Sequence, residues 1–219
     1  MLLLVDLDNT LLDRAGAFVR WAEHFAGEYA LGEDAVSWIV GADRNGHTPR
    51  AELAAAIVGH WQLDVEPTEL VERLVYEHVD TIEVYDGVAE RLHRLADSGV
   101  VLVIVSNGPV EQQTRKIRRT GVDEWMLGTV ISEAVGVKKP ERGIFDAAFE
   151  LAGGAHPETW MVGDDVVNDI QGGRALGLST GWVSHGARWA KQWRPTVTAE
   201  TPAEVLDLIG ETRAEAQRG

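Results

Sequence analysis

The 219-residue sequence contains no cysteine, which excludes disulfides, thiolate zinc sites and cysteine nucleophiles and fits a reducing compartment. Basic residues are scarce: 20 Lys and Arg face 35 Asp and Glu, for a formal charge of −15. Such a field repels nucleic-acid backbones and anionic lipid, so neither polymeric DNA or RNA nor a membrane surface is an expected partner. A small anionic substrate stays compatible, because a bound divalent cation and a few local basic residues reverse the potential inside one cleft. Long apolar runs are missing too. The opening run Met1 to Val5 meets Asp6 after five residues, too short for a signal-peptide core or a spanning helix, and a cytoplasmic protein, monomer or homodimer, is expected. With 45% hydrophobic and 25% charged residues, the disordered and membrane classes drop out and a substantial core can form.

What is present is an alternation. Short, consecutively apolar runs at Leu2 to Val5, Val100 to Val105, Thr129 to Ile131, Thr159 to Val162 and Thr180 to Val183 predict strands buried on both faces. Between them lie helical patterns: Asp86 as N-cap before Val88, Leu92 and Leu95, and Pro140 in a first turn before Ile144, Phe145, Ala148 and Leu151. Strands alternating with helices imply an α/β fold, a doubly wound parallel sheet whose strand carboxyl ends share one edge. Residues 14–84 break the pattern, with helical sets Phe18, Trp21, Ala22, Phe25 and Leu70, Val71, Leu74, Val75 but no convincing strand. They read as an inserted helical cap on a core of residues 1–13 and 85–219, hinged near Leu12-Asp13 and Tyr85-Asp86. The tail from Glu211 to Gly219 is expected to fray from a last helix.

Four clusters follow apolar runs or open helices: Asp6-Leu7-Asp8-Asn9-Thr10, Ser106-Asn107-Gly108, Lys139-Pro140, and Gly163-Asp164-Asp165 with Asp169. Jointly they describe a magnesium-dependent phosphoryl-transfer site. Asp6 and Asp8 leave the first strand two residues apart, so that one carboxylate can attack phosphorus and the other handle protons; a solvated strand end with an Asx turn explains one acidic residue more comfortably than two. The third acidic cluster calls for a hard divalent cation, since like charges about 4 Å apart cost around 4 kcal/mol at an effective dielectric of 20. Asp164 or Asp165 reads alternatively as a plain helix cap. Ser106, Asn107 and Gly108 offer a hydroxyl, backbone N–H groups and a helix start to phosphate oxygens, or equally an ordinary N-cap, with Pro109 as the first helical residue. Lys139 supplies a point charge against nucleophile and phosphate; spacing alone does not separate it from Lys138.

These motifs resemble the haloacid dehalogenase (HAD) superfamily of hydrolases, in order and spacing across nearly the whole chain. The resemblance implies a Rossmann-like core, an aspartyl-phosphate route with Asp6 as nucleophile, Asp8 as general acid and base, Lys139 as the motif lysine, and Thr10, Ser106, Asn107 and Gly108 at the phosphate. It implies Mg2+ held by Asp6, the Asp8 backbone carbonyl and Asp164, with Asp169 ligating directly or through water. The insertion looks like the helical cap of phosphoglycolate phosphatase-like and nucleotidase-like members. One departure is Asp165, where many relatives carry Ser. Dehalogenating relatives lack an acidic residue at the position of Asp8, so its presence favours phosphate chemistry.

The expected activity is hydrolysis of a small phosphorylated metabolite. A sugar-phosphate mutase or a 2-haloacid dehalogenase of the same superfamily is the nearest alternative, and a receiver-like signalling domain or a catalytically silent metal-binding scaffold the more distant one. Candidate substrate contacts on the insertion are Arg44, Asn45 and His47, with Asp43, Gly46, Arg50, Arg14, His24 and a stacking Trp38 around them; Trp189 and Trp193, interleaved with basic residues, edge a cleft or meet another copy.

Overall fold

The computed structural model describes residues 1–154 and 156–216. Contacts divide the chain into two units, Met1–Leu12 with Val84–Gly219, and Asp13–Glu83. In chain order the elements are β1 Leu2–Val5, α1 Arg14–Glu28, α2 Ala35–Asp43, α3 Arg50–Trp61, α4 Pro67–Tyr76, α5 Val88–Asp97, β2 Val101–Ser106, α6 Val110–Thr120, β3 Gly128–Ile131, α7 Ser132–Val135, α8 Arg142–Leu151, β4 Thr159–Gly163, α9 Gly172–Ala175, β5 Ser179–Val183, β6 Val197–Ala199 and α10 Pro202–Ala216. No helix among the described residues is long and apolar enough to cross a membrane.

The first unit is a six-stranded, all-parallel sheet of order β3-β2-β1-β4-β5-β6. The central strand β1 is buried at every position, which only a sheet covered on both faces allows. Leu2, Leu4, Val103, Val105, Val130 and Met161 face α8, packing on its Ile144, Phe145 and Ala148. The alternate residues Leu3, Val5, Leu102 and Ile104 point to the other face and are equally buried. Each such Leu or Val contributes about 1.5–3 kcal/mol by leaving water. Register then fixes the site: Val5 lies opposite Ile104 of β2 and Val162 of β4, so Asp6, Ser106 and Asp164 all emerge at the carboxyl edge.

Several element boundaries depart from the sequence expectation. β6 is an additional edge strand, three residues long and half-exposed, with no apolar run to announce it. Asp86 does not cap α5: Gly87 takes the N-cap position at φ 72, a left-handed conformation that glycine adopts without Cβ strain. Pro109 is the N-cap of α6 rather than its first helical residue. Pro140 stands in a turn closed by the Glu141 N–H on the Lys138 carbonyl at 2.8 Å, and α8 starts two residues later. The chain after β4 runs through a π-helical turn at Val166–Gln171 before the short α9. Helix α10 runs through Ala216, so the first six residues of the tail expected to fray are helical, and residues 217–219 lie outside the described residues.

The second unit consists of α1 to α4. Phe18, Trp21, Ala22 and Phe25 of α1, spaced on one helical face, bury against Ile39, Leu53, Ala54, Ile57, Leu70 and Leu74. Along α1 the rings stack in series, Phe18 on Trp21 at 5.2 Å and Trp21 on Phe25 at 5.1 Å.

Candidate active site

Asp6 follows β1 and is held by its N–H on the Val162 carbonyl at 2.9 Å. Lys139, buried although it comes from a turn, reaches it from between α7 and α8: Nζ lies 2.6 Å from Asp6 Oδ1, 2.8 Å from Asp169 Oδ1 and 2.6 Å from the Val105 carbonyl oxygen. Lys138 is exposed, which separates the two lysines that spacing left open. Asn107 directs its amide to the Lys139 backbone, accepting its N–H at 2.8 Å and donating to its carbonyl at 3.0 Å. The residue expected at phosphate thus fixes the motif lysine.

The acidic cluster after β4 is built by three local devices. A Cβ at Gly163 would overlap the Asp169 carboxylate, so glycine lets that side chain tuck against the strand end. Asp165 caps the π-helical turn, accepting the N–H groups of Val167 and Asn168 at 2.8 Å each; the capping alternative holds for Asp165. Asp164 is clamped on both sides of its backbone: its N–H donates to Thr10 Oγ1 at 3.1 Å, and its carbonyl accepts the Trp182 indole N–H at 2.9 Å.

Oxygens of Asp6, Asp164 and Asp169 lie within 4.8 Å of one another. Burial raises the Asp6 carboxyl above its ordinary value, more than Lys139 lowers it, and the Asp8 charge adds to the rise. Burial and the charges of Asp6, Asp169 and Asp165 push Asp164 well above its usual range. Burial drives Asp169 up to about 7 despite Lys139. For Lys139, the Asp169 and Asp6 carboxylates outweigh the burial cost and hold the ammonium charged. Three oxygen donors crowded against their own repulsion fit one hard divalent ion, since Mg2+ with bonds of about 2.0–2.1 Å draws its ligands to such separations.

Asp8 points elsewhere. Its two oxygens accept from Lys116 Nζ at 2.8 and 2.7 Å, and Oδ2 also accepts from Gln113 Nε2 at 3.0 Å. The same Gln113 nitrogen donates to Ser106 Oγ at 2.6 Å, and the Gly108 N–H donates to Ser132 Oγ at 3.0 Å. The sequence reading missed Gln113, Lys116 and Trp182. Polar residues on the inward face of α6 were the available signal for the first two; for Trp182, a strand residue, there was none.

The first unit therefore brings together Asp6, Asp8, Thr10, Ser106, Asn107, Gly108, Lys139, Asp164 and Asp169. Arg44, Asn45 and His47 lie in the second unit, around a 3-10 turn at Arg44–Gly46, with Arg44 and Asn45 at φ 51 and 57. Asp43 shapes that turn: it accepts the Gly46 N–H at 2.8 Å and pairs with Arg14 at 2.5 and 3.0 Å and Arg50 at 2.6 Å. Arg14, expected to face substrate, is instead buried in this ion pair. Trp38 stacks on His60 at 4.3 Å, while Trp189 packs on Trp182 at 4.8 Å and Trp193 on Trp189 at 4.9 Å.

The model of the haloacid dehalogenase-like hydrolases matches residues 3–183. The chain is 31% identical over 170 residues to the pyrimidine 5'-nucleotidase YjjG of Escherichia coli, covering 76% of this chain and 75% of that protein. It is 35% identical over 100 residues to the glyceraldehyde 3-phosphate phosphatase of Pyrococcus abyssi, covering 46% of this chain and 42% of that one. Among solved structures, the magnesium-bound HAD-hydrolase YfnB of Bacillus subtilis shares the fold at TM-score 0.79 and 22% identity, over 95% of this chain and 97% of the other.

Proposed function

The chain belongs to the haloacid dehalogenase-like hydrolase family, and on that premise we propose that it is a magnesium-dependent phosphatase of small phosphate monoesters working through a phosphorylated Asp6. The observation that carries this reading is the division of labour among carboxylates: Asp6 is clustered with Asp164, Asp169 and the Lys139 ammonium, while Asp8 is held separately by Lys116 and Gln113. Two acidic residues from one loop in such different surroundings suit one nucleophile and one proton carrier.

In the first step a carboxylate oxygen of Asp6 bonds to phosphorus as the ester P–O bond breaks, and Asp8 gives its proton to the departing alkoxide. In the second, water attacks the acyl phosphate, its proton passes to Asp8, and Asp6 leaves as carboxylate. Lys139 offsets charge on Asp6 throughout. Ser106 Oγ already accepts from Gln113, which leaves its hydroxyl proton to donate to a phosphate oxygen. Asp6, Asp164, Asp169 and the Asp8 backbone carbonyl would hold the magnesium ion, which when bound supplies positive charge against the phosphoryl oxygens. The Asp13–Glu83 unit is the proposed specificity element, with Arg44, Asn45 and His47 as its substrate contacts; two left-handed non-glycine residues at one turn are the kind of strain that function retains. Relatives named for a nucleotide and for a triose phosphate support a small phosphorylated metabolite as the class.

The test is release of inorganic phosphate from a panel of phosphorylated metabolites, with Mg2+ or with chelator. Wild type should release phosphate only with the metal, and Asp6→Asn should lose roughly 10³-fold or more while keeping its fold. Turnover by Asp6→Asn at the wild-type rate, an isomerised sugar phosphate in place of free phosphate, or halide from a haloacid would each overturn the reading.

A further inference from the structure

We infer that Gln113 and Lys116 on α6 aim the Asp8 carboxylate for its proton transfers, as a positioning pair that acts through Asp8; the inference rests on the phosphatase reading above. Helix α6 starts directly after the Ser106–Gly108 loop, and its buried side chains are Gln113, Lys116 and Ile117, a face where a packing helix would carry apolar residues throughout. Burying an ammonium costs several kcal/mol unless a partner compensates it. Lys116 is 2% exposed, and its Nζ donates to both oxygens of Asp8, at 2.8 and 2.7 Å.

Asp8 is short, on a loop and with its side chain 25% exposed, so its polar contacts bear directly on where its carboxylate points. Two bonds from Lys116 set where the carboxylate lies, and a third from Gln113 on Oδ2 constrains its rotation. The Gln113 amide is committed to this task. Its Nε2 faces Asp8 and Ser106, whereas among the described residues its buried Oε1 has no hydrogen-bond partner. Turning the amide over would set an oxygen against the carboxylate, so the donor orientation is the one retained. Gly108 makes room for it: a Cβ there would come within 3.1–3.2 Å of the Gln113 side chain. Gln113 thereby links the proton carrier to the hydroxyl expected at the phosphate through one shared donor.

Misplacing a reacting group by about 1 Å costs on the order of 10²-fold in rate. That loss should depend on how much the leaving group needs a proton. The experiment compares kcat/KM for p-nitrophenyl phosphate, whose phenolate departs readily, with that for a primary alkyl phosphate, whose alkoxide must be protonated. Lys116→Met should lose about tenfold more on the alkyl ester than on the nitrophenyl ester, with Gln113→Leu in the same direction and Lys116→Arg recovering part of the difference. In an Asp8→Asn background, Lys116→Met should add nothing, because no carboxylate is left to aim. Equal losses on the two esters, or a full additional loss in the Asp8→Asn background, would mean that the pair only supports the fold and would overturn the inference. Should Lys116→Met fail to fold, the same ratio measured on Gln113→Leu decides. A wild type that releases phosphate from neither ester defeats the phosphatase reading itself, an outcome distinct from an unchanged ratio in an active enzyme.

Discussion

Removing the divalent ion should destabilise the protein, and by an amount that depends on pH. Oxygens of Asp6, Asp164 and Asp169 lie within 4.8 Å of one another, and two unit charges at that separation repel by about 3.5 kcal/mol at an effective dielectric of 20. One ammonium, Lys139, faces all three carboxylates. The metal-free protein relieves the remainder by holding a proton, which burial and the neighbouring carboxylates favour by carrying Asp169 up to about 7. A carboxyl whose folded pKa stands above its unfolded value carries more protons folded than unfolded. Chelated protein therefore loses stability as pH rises from about 4 toward about 7. Metal-bound protein escapes that loss, because its ligands are already ionised. At a metal concentration 100 times Kd the gain is about 2.7 kcal/mol, or roughly 5–10 °C in Tm for a chain of this length. Melting in chelator and in Mg2+, at matched ionic strength, should show a gap that widens from about pH 5 to about pH 8 and closes in Asp164→Asn. Identical melting with and without Mg2+ at the higher pH, or a gap unaffected by pH, would refute the reasoning.

Two further outcomes follow from single contacts. Asp43 is buried between Arg14 and Arg50, and Asp43→Ala should cost about 3–5 kcal/mol in urea unfolding, because it strands the Arg14 guanidinium. Although burial pushes the Asp43 carboxyl up, the Arg14 hydrogen bond and the two arginine charges hold it below its usual range; its contribution is thus complete above the ordinary carboxylate pKa and is lost as pH falls through the depressed value, an acid dependence that hydrogen exchange in α1 and α2 should report and Asp43→Ala should abolish. Trp182→Phe removes the indole donor on the Asp164 carbonyl and should weaken Mg2+ binding about 10–100-fold by calorimetric titration; unchanged affinity would show that this hydrogen bond does not orient the ligand.

What could be read in the sequence follows from burial on two faces. Strands β1, β2 and β4 announce themselves because both sides of each need apolar residues, and the chemistry follows because Asp6, Ser106 and Asp164 occupy the positions where those runs end. β6 was illegible because a short edge strand has neither requirement. The Arg14–Asp43 pair was illegible for another reason: its partners stand 29 residues apart, and nothing local distinguishes a buried guanidinium from one on a wet helix face. Lys116 and Gln113 lie between these cases. They sit three residues apart on a helix whose inward face spells Gln, Lys and Ile, and a missing apolar stripe is a signal the amino-acid pattern itself carries.

The choice of cation connects these observations. Only four of the 20 basic residues are lysines, and two of those four, Lys116 and Lys139, are the buried ones, set against Asp8 and Asp6. At the strand edge where Lys139 is enclosed, lysine is a compact point charge, whereas arginine would present a planar fork that needs space and several acceptors. Each of the two carboxylates in the proposed reaction thus has its own ammonium. Asp165 turns its charge onto the amides of the following turn. Around the cation cluster, Asp6, Asp164 and Asp169 against Lys139 leave two negative charges, which one divalent ion cancels. A chain with a formal charge of −15 would by this means present a locally neutral site to a phosphate dianion, and without the ion the same site would repel it.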